Sequence, residues 1–379
     1  MNTELFDLKV GYVKLKNPIA LAPMGGVTDS SFVNNHAKEA GLVTIGGYNI
    51  DESTKKAADH MLLRGRKEFV LQNPLMDIEE EISRIKCDCA VSVNVRSSTL
   101  TPLMELAQTI KDKGCILEID AHCRQKEIID AGAGETLLHN IQELVRWIKR
   151  IKETGVVLSV KIRTGIVDDI SLVKQIERAG ADIVHVDAMI AGNGADLDAI
   201  RKIRDSTSLF LIGNNSITDF LYAKDMFSRG ADVVSVARGV LDNPSLIREL
   251  VQEISSYQGQ CGWYNAPKHL CSGKGDLRGL AFCCVPIKPC ALIHKIKQIG
   301  FSPQEFTDIK NKFAKGTMLE YGDSTCFGSL VWCCKITKPC FLRDGVLEML
   351  QVSDQEYMLL KKELADFILE NSKVATDEN

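Results

Sequence analysis

Eight short runs of apolar, mostly β-branched residues recur through the first 250 positions, and longer amphipathic stretches separate most of them. The runs occupy residues 18–24, 42–47, 90–95, 116–120, 156–162, 182–187, 209–214 and 233–238. Helical spacing of apolar positions marks the stretches 137–152, 171–178, 219–228 and 244–254. Eight strand-then-helix units in about 240 residues predict an α/β fold, a (β/α)8 TIM barrel. Residues 8–15 ahead of the first unit read as a hairpin capping the barrel bottom. A doubly wound sheet is disfavoured, because no Gly-x-Gly-x-x-Gly opens a helix after the first strand.

At the C-terminal side the pattern changes. Phe282-Cys283-Cys284-Val285-Pro286-Ile287-Lys288-Pro289-Cys290 is repeated fifty residues on as Trp332-Cys333-Cys334-Lys335-Ile336-Thr337-Lys338-Pro339-Cys340. With Cys271 and Cys326 upstream, eight of the thirteen cysteines fall within residues 271–340. Two sets of four thiols suit two metal centres, and the simplest grouping is Cys271, Cys283, Cys284, Cys290 and Cys326, Cys333, Cys334, Cys340. Tetrahedral zinc and an iron–sulfur cluster are both chemically acceptable there. The expected organisation is a barrel over 1–257, a small cysteine-rich metal-binding domain over 265–345 and a C-terminal helix and tail over 346–379. Residues 258–266 read as a linker, and residues 354–371 as the helix.

No apolar run approaches the roughly 20 residues that span a bilayer, and the first residues lack a signal-peptide core, so a cytoplasmic protein with no membrane contact is expected. Reduced thiols in that compartment favour metal or catalysis over disulfides. Net charge is −4, but residues 261–340 carry eleven lysines and arginines against five acids. This basic module would meet nucleic acid or an acidic partner, or simply balance thiolate charge. The run Arg64-Gly65-Arg66-Lys67 is a further candidate for RNA phosphates, or a solvated loop.

Barrel sites form where strands end. Those ends carry Ala22-Pro23-Met24-Gly25-Gly26, Asn94, Asp120-Ala121-His122-Cys123-Arg124, Lys161-Ile162-Arg163, His185, Gly213-Asn214-Asn215 and Ala237-Arg238-Gly239. The groups after the last two strands stand where barrels hold phosphates, and a lysine ending the fifth strand suits the anionic edge of a reduced ring. These motifs resemble the dihydrouridine synthase family of FMN-dependent barrels. Leu21-Ala22-Pro23-Met24-Gly25-Gly26-Val27-Thr28-Asp29 is similar to its first-strand motif, and Val160-Lys161-Ile162-Arg163-Thr164-Gly165 to its fifth.

The resemblance implies roles. Pro23, Met24 and Asn94 would lie along FMN, Lys161 at its N1/O2 edge, and His185 beside the ring or ribityl chain. Gly213, Asn214, Ala237 and Arg238 would bind its phosphate. Cys123 would be the general acid of uracil reduction, with His122 and Arg163 as further catalytic groups. NAD(P)H or a redox protein would supply electrons, and tRNA would be the macromolecular partner. The family pattern Asp-x-Asn-x-Gly-Cys-Pro is altered here: Glu118, Asp120, His122 and Arg124 replace its Asp, Asn, Gly and Pro. An imidazole and a guanidinium flanking Cys123 would lower its pKa. The duplicated cysteine motif resembles the methanogenesis marker 9 domain of methanogenic archaea, which implies metal binding in an anaerobic cytoplasm. Alternatives are a methanogenesis-linked flavin or metal redox protein with another substrate, or a non-enzymatic metal-binding interaction protein. Cys87, Cys89 and Cys115 read as packing residues.

The duplicated thiols make one prediction. Protein purified without oxygen carries zinc or iron, and Cys290→Ser combined with Cys340→Ser strips most of it, as elemental analysis of the two proteins checks.

Overall fold

A hairpin opens the chain, β1 (Leu8–Val10) paired antiparallel with β2 (Val13–Leu15). Gly11 turns it with φ of 55°, and a Cβ there would stand 2.6 Å from Val157, so only glycine lets the hairpin close on the barrel. Tyr12 anchors it: its hydroxyl donates to the Cys115 carbonyl and accepts from the Val157 N–H. Both partners lie at the N-terminal ends of barrel strands, so the hairpin caps the bottom as expected.

The barrel strands are β3 (Ile19–Leu21), β4 (Leu42–Asn49), β5 (Ala90–Arg96), β6 (Ile116–Asp120), β7 (Val157–Arg163) and β8 (Ile183–Asp187). After a short ladder of β9 (Met189–Ile190) with β10 (Gly194–Ala195) come β11 (Phe210–Asn214) and β12 (Val233–Val236). All eight pairings are parallel, and β12 returns to β3 to close the sheet. The computed structural model that shows this describes residue 6 and residues 8–190, 192, 194–261, 281–283 and 328–329. The chain divides into two compact units, 1–255 and 256–379.

The helices are α1 (Ser30–His36), α2 (Glu52–Leu63), α3 (Pro74–Ser83), α4 (Leu100–Asp112), α5 (Lys126–Asp130), α6 (Thr136–His139), α7 (Ile141–Lys152), α8 (Asp169–Ala179), α9 (Leu197–Ser206), α10 (Phe220–Ser228), α11 (Gly239–Asp242) and α12 (Leu246–Cys261). Helix α7 shows the logic. Leu144, Trp147, Ile148 and Ile151 repeat at helical spacing and are buried, while Lys149, Arg150 and Lys152 sit in its last turn, favourable to the dipole. The stretch 137–152 is therefore two helices, broken at Asn140, whose backbone leaves the helical region. Helix α12 runs to Cys261, into the segment read as a linker. Asp29, Asp51, Asp168, Asp196 and Asp219 each cap a helix that follows a strand, accepting from a first-turn N–H.

Of the second unit, the described residues form the end of α12 and a two-stranded antiparallel ladder, β13 (Ala281–Cys283) with β14 (Gly328–Ser329). The thiol positions expected to hold metal otherwise lie outside the described residues, as does the expected helix over 354–371. Cys115 is buried and unpaired, a packing residue as expected. Cys87 and Cys89 differ from that expectation, being joined as a disulfide in the loop before β5. Among the described residues no helix is long and apolar enough to cross a membrane.

Asp51 does more than cap α2. Its Oδ1 accepts from Thr54, while Oδ2 accepts from the Ser98 N–H and the Ser97 and Ser98 hydroxyls, tying α2 to the loop after β5. Asp51→Ala is expected to cost about 2 kcal/mol, the upper end for a lost cap, read as a lower urea midpoint by circular dichroism.

Candidate active site

Polar residues stand at every second position along the C-terminal halves of the barrel strands, so they share the inner face. They form two layers. The lower one is centred on Glu118, fully enclosed at the middle of β6. Its carboxylate accepts from Asn94 Nδ2 (2.9 Å), Ser159 Oγ (2.8 Å) and His185 Nδ1 (2.9 Å). An ionised carboxylate only accepts, so His185 carries its proton on Nδ1, and the Nε2 lone pair is left to Ser235 Oγ (2.8 Å), while Lys161 Nζ lies against the ring, 3.0 Å from Nε2 and 3.5 Å from Nδ1. Asn214 closes the layer by donating to Ser235 Oγ.

Burial opposes the charge on Glu118, but His185, Lys161 and Asn94 outweigh it and bring the carboxyl down to about 2. A charged imidazole would help further. Burial first, and then the Lys161 ammonium, instead push His185 below its ordinary 6.5, so at neutral pH it is a neutral ring beside an ionised carboxylate. Burial also lowers Lys161, against the opposing pull of Glu118, Asp187 and Asp120. Its direct neighbour is an imidazole and not a carboxylate, so its positive charge is left available to the space above.

The upper layer rings that space. Asp120 Oδ1 accepts the backbone N–H groups of His122 (3.0 Å) and Cys123 (2.9 Å), and its Oδ2 accepts Arg96 Nε (2.9 Å). His122 reaches from the loop after β6 to the end of β8, placing Nε2 2.7 Å from Asp187 Oδ2. Asn215 Nδ2 donates to the other oxygen of Asp187. Although burial works against it, Asp187 is held well below the usual carboxylate range, with His122 the largest stabiliser.

Above the lower layer a cavity of about 710 Å³ opens at the strand C-termini. Of the residues singled out from the sequence, Pro23, Met24, Asn94, His122, Cys123, Lys161, Arg163, Asn214, Ala237 and Arg238 line it. Arg163 NH1 lies 3.3 Å from Glu135 Oε2. Two expected residues fall elsewhere. His185 is fully buried one layer down, beneath Lys161, and acts on the cavity through that lysine. Gly213 faces outward: a Cβ there would meet Met226 at 2.6 Å, so this glycine lets α10 approach the barrel.

The surroundings of Cys123 also differ from expectation. Its side chain belongs to an apolar cluster with Ala57, Met61, Ile128 and Ala133. Burial raises its thiol, the main counterweight being Arg96 and not the flanking His122 or Arg124. His122 is turned to Asp187, and Arg124 is exposed. Cys123 is therefore a neutral thiol at neutral pH. Of the basic run after α2, Arg64 pairs with Glu127, while Arg66 and Lys67 border the cavity. Residues not singled out from sequence are Glu68, Arg96, Ser159, Asp187 and Ser235. All but Glu68 obey the alternation, and that periodic polarity was the available signal.

The residues present fit a flavin mononucleotide. The volume is of the size that holds cofactors (about 300–1,000 Å³). A cation at the floor suits the electron-rich edge of the ring. After β11, Asn215 and Ser216 both have positive φ (119° and 54°) in a turn that lines the cavity together with Arg238, a cation suited to a phosphate. Among the described residues no cluster of His, Cys, Asp and Glu is arranged to hold a metal ion.

The Glu118 carboxylate generates a pH prediction. Its folded pKa lies below the unfolded value of 4.5, so its stabilisation is complete above that pH and is lost as pH falls toward about 2. Glu118→Gln is expected to remove on the order of 3 kcal/mol at pH 7 and to flatten the acid limb over that window. Urea midpoints measured across pH 2–7 check both.

Comparison with known proteins agrees with this geometry. The family model for dihydrouridine synthase (Dus) matches residues 20–269. An uncharacterized protein of Methanocaldococcus jannaschii is 34% identical over 261 residues, covering 67% of this chain and 99% of that protein. A probable tRNA-dihydrouridine synthase of Rickettsia conorii is 27% identical over 257 residues, 64% of this chain and 72% of that one. Among solved structures, Eimeria tenella DHODH in complex with ferulenol superposes with a TM-score of 0.53 over 69% of this chain and 86% of that one; at 14% identity this likeness concerns the fold. The chain belongs to the dihydrouridine synthase family, whose barrels are FMN-dependent oxidoreductases.

Proposed function

We propose that the protein is an FMN-dependent oxidoreductase that reduces the carbon–carbon double bond of a uracil-type ring, with uridine in tRNA as the substrate to which its named relatives point. The observation that carries this reading is Lys161, a buried cation with no carboxylate in contact, beneath a cavity that also borders a protonated cysteine. The chemistry a bound FMN supplies there is delivery of hydride to one carbon of the ring.

The chain's own residues do the rest. Lys161, held from below by His185 and Glu118, places positive charge at the cofactor's anionic edge. Pro23, Met24 and Asn94 border the cavity beside it. Asn214, Ala237 and Arg238 lie with the left-handed Asn215–Ser216 turn at the phosphate end. Cys123 keeps its proton because burial disfavours the thiolate, and a neutral thiol is what a general acid needs. It protonates the carbon next to the one that receives hydride. Arg66, Lys67 and Arg163 border the same cavity as cations, suited to a polyanionic substrate. NAD(P)H or a redox protein is the proposed electron donor.

His122 carries a second reading. It stands where the family pattern has glycine, and its bridge to Asp187 narrows the substrate side, which suits a ring substrate other than uridine. For the second unit, metal binding at the duplicated cysteines, and through it contact with tRNA, is proposed on the sequence alone.

Purified protein should show flavin absorption bands that bleach on reduction. Cys123→Ala should retain those bands and lose about 10²–10⁴ of its turnover on unmodified tRNA. A protein that takes up no FMN overturns the oxidoreductase reading. A flavoprotein inert toward tRNA favours the second.

A further inference from the structure

Arg96, at the end of β5, is 4% exposed and borders the cavity. Its guanidinium is wedged between two backbone turns that have no side chains: Cβ atoms at Gly25 and Gly47 would stand 3.0 Å and 2.6 Å from its NH2. Two carboxylates hold it. Nε donates to Asp120 Oδ2 at 2.9 Å, and NH1 donates to Glu68 Oε2 at 2.8 Å. Both acids are themselves buried, so removing the arginine would leave two unpaired charges out of water.

The second oxygen of Asp120 is what makes this cluster more than a structural ion pair. It accepts the N–H groups of His122 and Cys123 together, so the turn carrying the thiol is fastened to a carboxylate that Arg96 fixes. An amide oxygen at position 120 would make the same turn but would neither demand nor hold the guanidinium. The Asp120–Arg96 couple thus compensates itself, and Glu68 completes it from the segment after α2, where Arg66 reaches its other oxygen.

We propose that Arg96 is a positioning residue of this site: through its ion pair with Asp120 it fixes the turn that carries Cys123. The inference rests on Cys123 being the proton donor proposed above. The charged groups acting on the thiol are Arg96 from β5, Asp120 from β6 and Glu68 from the segment after α2. The elements packed on its other side, α2 and α5, present Ala57, Met61 and Ile128, all apolar. The sign follows. Arg96 favours the thiolate and so limits how firmly the proton is held, while Asp120 and Glu68 oppose that effect.

The test is the pH midpoint of iodoacetamide alkylation at Cys123, followed on its peptide by mass spectrometry in the full chain as purified. Arg96→Gln should raise the midpoint by about one unit, a roughly tenfold slower reaction below it. Glu68→Gln, which leaves the guanidinium less neutralised, should move it down and speed alkylation several-fold. A merely structural role loosens the turn in both variants and shifts both midpoints the same way, which overturns the proposal, as does an unmoved pair. Should Arg96→Gln fail to fold, the Glu68→Gln shift decides alone. Full turnover in Cys123→Ala would remove the cysteine from the reaction without touching these midpoints, so the two failures are separable.

Discussion

A charge sealed inside a closed sheet must find all its partners in the sheet. Glu118 is that charge, and much of the interior geometry follows from satisfying it. Asn94, Ser159 and His185 come from three different strands, so register around the barrel is specified by hydrogen bonds as well as by apolar packing. Because the carboxylate and Ser235 fix His185 from both ring nitrogens, the imidazole presents a set surface against which Lys161 rests. The lysine facing the cavity is thus the last member of a chain that starts with an acid no ligand touches.

The same economy governs the rim, where carboxylates orient cations and backbone. Asp187 holds His122 across the top of β7, and Asp120 holds the turn that carries Cys123. Each acid is matched by a donor from a neighbouring element, Asn215 in one case and Arg96 in the other. A rim built this way resists rearrangement, because releasing any one member strands a buried charge.

All eight strands were legible because each is an apolar, β-branched run bounded by turns. Their ends were less so. β4 continues through Gly46 and Gly47 to Asn49 because its pairing with β5 shifts register there, whereas two glycines in sequence look like a stop. Site residues at strand tips were legible for the same reason that barrels place sites there. What one sequence does not carry is the stagger between strands. It decides that His185 lies a layer below the cavity while Asp187 reaches the rim. Nor does it show which cation neighbours a cysteine: Arg124 is next to Cys123 in the chain, but Arg96 acts on it. Glu68 follows no periodic pattern at all, and its partner is 28 residues away.

The floor of the cavity has a consequence for the order of events in time. Glu118, His185 and Lys161 are buried beneath it and the Tyr12 hairpin caps the bottom, so among the described residues the cavity opens toward the strand C-termini. For a ring bound there as proposed, whatever brings it electrons and whatever accepts them approach, among the described residues, from that same side. They must take turns. Such an architecture favours alternating half-reactions, with the first product gone before the second reactant arrives, and makes each visitor a competitive inhibitor of the other.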